Sequence, residues 1–202
     1  MLWKYRKLFV VFVLIVTVSG IIFSESKEKK TQTVPLYSLG DQTLSINGGL
    51  FVPLFFQATD GSVKPTNLTP GGVGSLKWGV YLNGNVKVNL EAGGVFAFSP
   101  NFNTLLILPI TLSGEYVFNY FPFNFPVYLG TGITITRYQT YTHVDFILKP
   151  GLSAYWQYNT LWSFGINFVY WWIFQPATGD QPSYETRMGN FLEISLSALY
   201  HF

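Results

Sequence analysis

From about residue 41 onward the chain alternates between apolar and polar positions. In its final stretch, GNFLEISLSALYHF, Leu192, Ile194, Leu196, Ala198, Tyr200 and Phe202 share one parity, while Glu193, Ser195, Ser197 and His201 share the other. That is the period of a β-strand with two unlike faces. The pattern recurs and predicts eight strands, at about 44–54, 74–82, 86–98, 104–120, 127–137, 144–156, 162–174 and 190–202. The segments between them alternate in length. Asn83–Asn85, Phe121–Pro126 and Gln157–Leu161 are short, Gln57–Gly72 and Gln175–Met188 are long and polar, and Ser99–Asn103 and Tyr138–His143 are the modest members of the second set. An even number of strands joined in this way predicts an all-β fold, an eight-stranded antiparallel up-and-down barrel with its tight turns at one end.

The charges indicate which solvent such a barrel faces. Of eight charged residues in the predicted strands, seven (Lys77, Lys87, Glu91, Glu115, Asp145, Lys149 and Glu193) fall on the parity opposite the apolar one, and only Arg137, at a strand end, does not. A secreted lipid-carrying barrel of the lipocalin type would invert this arrangement. Charges inside and an apolar outside predict a transmembrane barrel. Aromatic spacing agrees: on the seventh strand Trp162 and Phe164 lie at one end of the apolar face and Trp172 and Phe174 at the other. Ten residues of tilted strand span roughly 25 Å, the height of an outer-membrane apolar band between aromatic girdles.

Composition fits a chain that is not solvated by water alone, since 49% of its residues are apolar and only 11% are charged. Beyond the N-terminus no uncharged apolar run approaches the roughly 20 residues of a spanning helix. Cysteine is absent and the two histidines, His143 and His201, are far apart, so no metal or cofactor is expected. Lys4, Arg6 and Lys7 precede an apolar run from Leu8 to Phe23, with Ser24 and Ser26 after it. This is the order of a secretory signal peptide over 1–26, cut between about 20 and 26. Residues 27–40 read as a periplasmic lead-in and 41–202 as the barrel. Removing three basic residues turns the formal +2 into about −1, so the basicity belongs to export and no nucleic-acid partner is expected.

Seven inward positions are glycine, namely Gly49, Gly79, Gly93, Gly130, Gly132, Gly151 and Gly165, which make room for long side chains in a narrow lumen. A turn over Asn83–Asn85 sets Lys77 opposite Glu91, and pairing Phe98 with Thr104 sets Lys87 opposite Glu115. Pairing Arg137 with Val144 sets Lys149 opposite Gly132, within reach of Glu115. Opposite charges across strands are favourable, and unpaired buried ones are costly, so a lumen-lining charge network and a plugged axis are expected. Pro53, Pro109 and Pro150 each delete a ladder donor and mark candidate gaps in the wall. Glu91 with Glu115 could serve as an acid–base pair, but each has a basic neighbour. Near the loop-bearing rim His143, Asp145 and Ser99 are not tied together by spacing, and His201 lies at the other end. No catalytic residues are assigned.

The C-terminal strand, with Tyr200 and Phe202, resembles that of bacterial outer-membrane barrels, which the barrel-assembly machinery recognises. The overall plan of 41–202 resembles the small barrels OmpW, OmpX and the transmembrane part of OmpA. Strand lengths and the absence of a periplasmic domain are most similar to OmpW. That resemblance implies the outer membrane with both termini periplasmic, outer-membrane lipid as surroundings, and passage of a small apolar solute through a sideways opening. An OmpX-like alternative is a surface-displayed structural or adhesion barrel acting through loops 57–72 and 175–188.

Overall fold

The computed structural model describes residues 37–99, 103–138, 141–176 and 187–202. The predicted signal peptide, most of the lead-in, and much of the segment before the last strand lie outside the described residues. Within the unit Val34–Phe202 the strands are β1 (Gln42–Ala58), β2 (Val63–Pro65), β3 (Gly71–Tyr81), β4 (Val86–Phe98), β5 (Thr104–Tyr120), β6 (Phe123–Tyr138), β7 (Tyr141–Gln157), β8 (Trp162–Gln175) and β9 (Arg187–His201). Each long strand pairs antiparallel with the next, and β9 pairs with β1, so eight strands close into a barrel with β2 as an outlying three-residue strand on β1. Closure satisfies the backbone without an open edge, as a wall in hydrocarbon requires.

Following the shared register once around the wall, from Thr43 through Gly79, Asn89, Ser113, Gly130 and on to Phe191, returns to β1 at Pro53, ten residues further along. This stagger is what tilts the strands and fixes the width of the barrel. The outer surface is apolar all round, with Ile46, Leu50, Leu112, Leu129, Leu152 and Leu196 all more than half exposed. So large a continuous apolar surface has no place in water, and it marks the face that meets lipid.

Two connections are shorter than the sequence suggested. Only Phe121 and Pro122 separate β5 from β6, and Tyr138 pairs directly with Tyr141. Phe123 and Phe125 continue the outward parity around an inward Asn124, so the strand begins before Pro126 instead of after it. The second shortening slips the β6–β7 register by two residues: Arg137 faces Thr142, and Lys149 faces Gly130 and not Gly132.

The prolines interrupt the ladder on one side only, because an antiparallel residue directs its N–H to a single neighbour. Pro109 keeps its place opposite Thr134 on β6, while toward β4 the pairing stops at Ala92–Ile110 and resumes at Val95–Ile107. Pro150 stays opposite Leu129, while toward β8 pairing stops at Leu148–Trp172 and resumes at Gly151–Val169. Pro53 adjoins a bulge, since β1 advances one residue against β9 between Pro53 and Phe55.

Candidate functional site: the lumen

Alternation along eight strands sends one set of side chains inward, and Lys77, Lys87, Glu91, Glu115, Asp145, Lys149 and Glu193 are all buried there. Lys77 lies opposite Glu91 and Lys87 opposite Glu115 in the ladder. One ion pair follows this ladder and the others do not. Lys87 Nζ is 2.8 Å from Glu115 Oε1. Lys149 crosses the lumen to donate to Glu91 Oε1 at 2.8 Å and stands 3.7 Å from Glu193 Oε2. It does not turn to Glu115. Lys77 instead rests over the Tyr128 ring, 4.2 Å from its centroid, and Lys149 lies 4.3 Å from that of Trp171. A desolvated ammonium gains from an aromatic face as well as from a carboxylate.

Polar side chains join these charges into a belt. Trp171 Nε1 and Ser195 Oγ each donate to Glu193 at 2.8 Å. Asn167 Nδ2 donates to Ser195 Oγ, and Tyr155 Oη and Ser153 Oγ both donate to Asn167 Oδ1. Tyr155 Oη also lies 3.1 Å from Ser197 Oγ, which donates to Asn47, and Asn47 Nδ2 donates to Ser75. Asn89 Nδ2 donates to Glu115 Oε2 at 3.0 Å. Two glycines admit the rings that fill this layer. A Cβ at Gly151 would meet the Tyr128 ring at 2.5 Å, and one at Gly165 would come within 2.6 Å of Tyr155 Cδ1.

Toward the loop end the lining changes character. Phe51, Val95, Ile107, Ile147, Trp171 and Phe191 form a fully buried apolar layer, with Phe56 and Leu68 against it. Leu68 follows Asn67, whose φ of 54° is a left-handed turn that Asn tolerates, and Thr69 pins the loop through its N–H and hydroxyl to Phe98 O. The parity of these apolar residues was visible in the sequence. That they form a separate layer was not, because the charged residues that revealed the inner face all report on a different depth.

At the turn end Tyr37 stacks on Tyr81 with centroids 4.4 Å apart and on His201 at 5.3 Å. Burial pushes the Tyr37 phenol up to about 12. His201 Nε2 lies 3.0 Å from Ser163 Oγ, a serine–histidine contact that sequence spacing did not suggest. Its Nδ1 has no partner among the described residues, and Ser163 is fully buried, so among these residues neither an orienting carboxylate nor an approach for substrate accompanies the pair. His143 and Asp145 face the lumen on β7, and the Ser99 hydroxyl is buried without a hydrogen bond among the described residues. Tyr200 and Phe202 stack on the outer face at 5.9 Å, and Phe202 closes the barrel through reciprocal backbone bonds with Gln42.

A closed eight-stranded wall, lipid-facing outside and lined by buried charged and polar side chains inside, defines a small outer-membrane β-barrel protein. A protein-family model matches residues 24–200, and the chain belongs to that family. The chain is similar to an uncharacterized protein of Borreliella burgdorferi, 24% identical over 92% of this chain and 95% of that one. Among solved structures it is similar to Neisserial surface protein A, with a TM-score of 0.56 and 11% identity over 81% of this chain and 97% of that one. It is also similar to the outer membrane protein OprG from Pseudomonas aeruginosa, with a TM-score of 0.48 and 14% identity over 82% of this chain and 98% of that one. The structural neighbours are small outer-membrane barrels, and what they share with this chain is the fold.

Proposed function

We propose that this barrel assists entry of small apolar solutes into or across the outer membrane through its wall, at the seam between β4 and β5, and not along its axis. The observation that carries this reading is the stretch where Gly93–Gly94 face Leu108–Pro109 outside the paired register. Gly94 contributes no side chain there, and the nearest atom to a Cβ at that position would be Leu108 Cδ2 at 3.5 Å. The seam lies one step from Val95 and Ile107, where the lining becomes apolar. A solute parting these strands would therefore pass between lipid and an apolar layer. The axis offers the less favourable route, because any solute on it must break the ion pairs of Lys87 and Lys149.

Proteoliposome uptake of an apolar dye tests the seam. Pro109→Val restores the missing donor and Gly94→Val narrows the opening, and each is expected to lower uptake toward the protein-free rate, with Pro53→Val and Pro150→Val as the other candidate gaps. Uptake unchanged in all four would refute a lateral route. On this reading the tight turns and both chain ends face the periplasm, a cleaved leader directs export, and Tyr200 and Phe202 present the last strand to the assembly machinery. Removal of Phe202 is then expected to reduce the heat-modifiable, membrane-inserted fraction in cells.

A second reading, display of a binding surface, is favoured by the part of the sheet that continues beyond the end of β3. There Phe55–Gln57 pair with Val63–Pro65 on one side, and Phe55–Ala58 with Arg187–Asn190 on the other. Replacing 57–72 and 175–188 with short Gly/Asn turns separates the two: lost surface binding with normal uptake supports display.

A further inference from the structure

Between β2 and β3 the chain leaves the line of the sheet. Pro65 pairs with Phe55 and Gly71 with Phe51, so residues 66–70 stand where β1 passes only residues 52–54. The longer segment cannot lie flat against the shorter one, and its excess is thrown out of the wall as a strap. The left-handed Asn67 bends it inward, and half-buried Leu68 packs against the apolar layer of Phe51, Val95, Ala97 and Phe191.

Both ends of the strap are fixed. Pairing with β1 holds it as far as Pro65. At the other end the backbone presses on β4, where a Cβ at Gly71 would run into Phe96 O and one at Gly72 would meet the Phe96 ring at 2.5 Å. Among the described residues, the span between is fastened by hydrogen bonds to the wall at one acceptor. Phe98 O receives the Thr69 N–H at 2.8 Å and the Thr69 hydroxyl at 3.1 Å. Two hydrogen bonds and one half-buried leucine therefore hold the strap, whereas each wall strand is held by ladders on both sides. Local opening takes the most weakly held unit first.

We propose that residues 66–70 form a gate at the loop end of the lumen, with Leu68 as its stopper and the Thr69–Phe98 latch holding it shut, and that its release admits uncharged apolar molecules to the layer below. The class of molecule follows from the lining, since Phe51, Val95, Ala97, Ile107 and Phe191 offer nothing to replace the hydration of a charge. Phe98 and Gly94 lie on the same strand, so the latch closes on the strand that borders the unpaired seam. Onward passage from the layer rests on the lateral reading, whereas closure of the layer by the strap does not.

The chain has no cysteine, so one probe can be placed behind the gate. Ala97 is fully buried in the layer, and Ala97→Cys adds a single sulfur there. Its labelling by iodoacetamide in the refolded full chain is expected to be slow. Thr69→Val, which loses the hydroxyl bond, is expected to speed labelling about fivefold, and Leu68→Ala to speed it further. Pro109→Val at the seam is expected to leave it unchanged. In proteoliposomes both strap variants are expected to raise uptake of the apolar dye; faster labelling with unaltered uptake keeps the gate and removes the lateral reading instead. Hydrogen exchange at the Thr69 amide reads the latch in the wild-type chain, should a variant fail to fold. It is expected to be slower than in an unstructured peptide and faster than at the β4 amides of the wall. Exchange matching either extreme, or labelling indifferent to both strap variants, would overturn the proposal.

Discussion

Lys149 shows why a buried ion pair has to be judged by what its loss leaves behind. It is 2% exposed and serves two carboxylates at once, Glu91 and Glu193, while lying over Trp171. Lys149→Met removes the cation and leaves two acids inside the wall, so a loss of about 3–5 kcal/mol is expected in a urea titration of the vesicle-inserted protein. Adding Glu91→Leu is expected to recover part of it, since that acid then no longer needs a partner. A double variant no more stable than the single would show that Glu91 is satisfied without Lys149. Gly151→Val is a steric test in the same layer, because the Tyr128 ring occupies the place of the new side chain and must move off Lys77. The sequence made Lys77 and Glu91 legible as a facing pair through the short turn at Asn83–Asn85, and Lys87 and Glu115 through the pairing of Phe98 with Thr104. It could not show the partner of Lys149. The β6–β7 turn is shorter than its polar residues suggested, and a chord across the lumen does not follow from which strands are neighbours.

At the scale of elements, the strands were readable from alternation and the prolines obscured only their ends. Pro126 looked like a loop residue, yet its missing donor falls on the β7 side, where pairing stops at Asn124–Tyr155 and resumes at Val127–Leu152. The outlying strand β2 could not be foreseen, since Val63–Pro65 is three residues inside a polar segment. Tyr37 gives the turn end a measurable titration. Its phenol is pushed up to about 12 in the folded barrel against about 10 in an unfolded chain. A raised pKa means the folded state holds the proton more tightly, so this contribution is complete below about pH 10 and falls as pH rises toward 12. Ultraviolet titration of tyrosinate is expected to show one late-ionising group fewer in Tyr37→Phe than in wild type, and that variant is expected to lose less stability than wild type over the same pH interval.

At the scale of the whole molecule, two dissimilar layers close the lumen in series. The apolar layer of Phe51, Ile107, Ile147 and Phe191 has no polar group with which to replace the hydration of an ion. The belt around Glu91, Lys149 and Glu193 sets that layer apart from Tyr37 and Tyr81 at the turn end. Planar-bilayer recordings are expected to show no resolved conductance steps, and none after Lys77, Lys87 and Lys149 are all replaced by Met, because the apolar layer is untouched. Steady openings in the wild type would mean that the layers do not meet. The two barriers reject different traffic, since one refuses what is hydrated and the other refuses what is oily. Many copies of this barrel would therefore add no leak along their axes, so that abundance in the membrane is uncoupled from axial leakage.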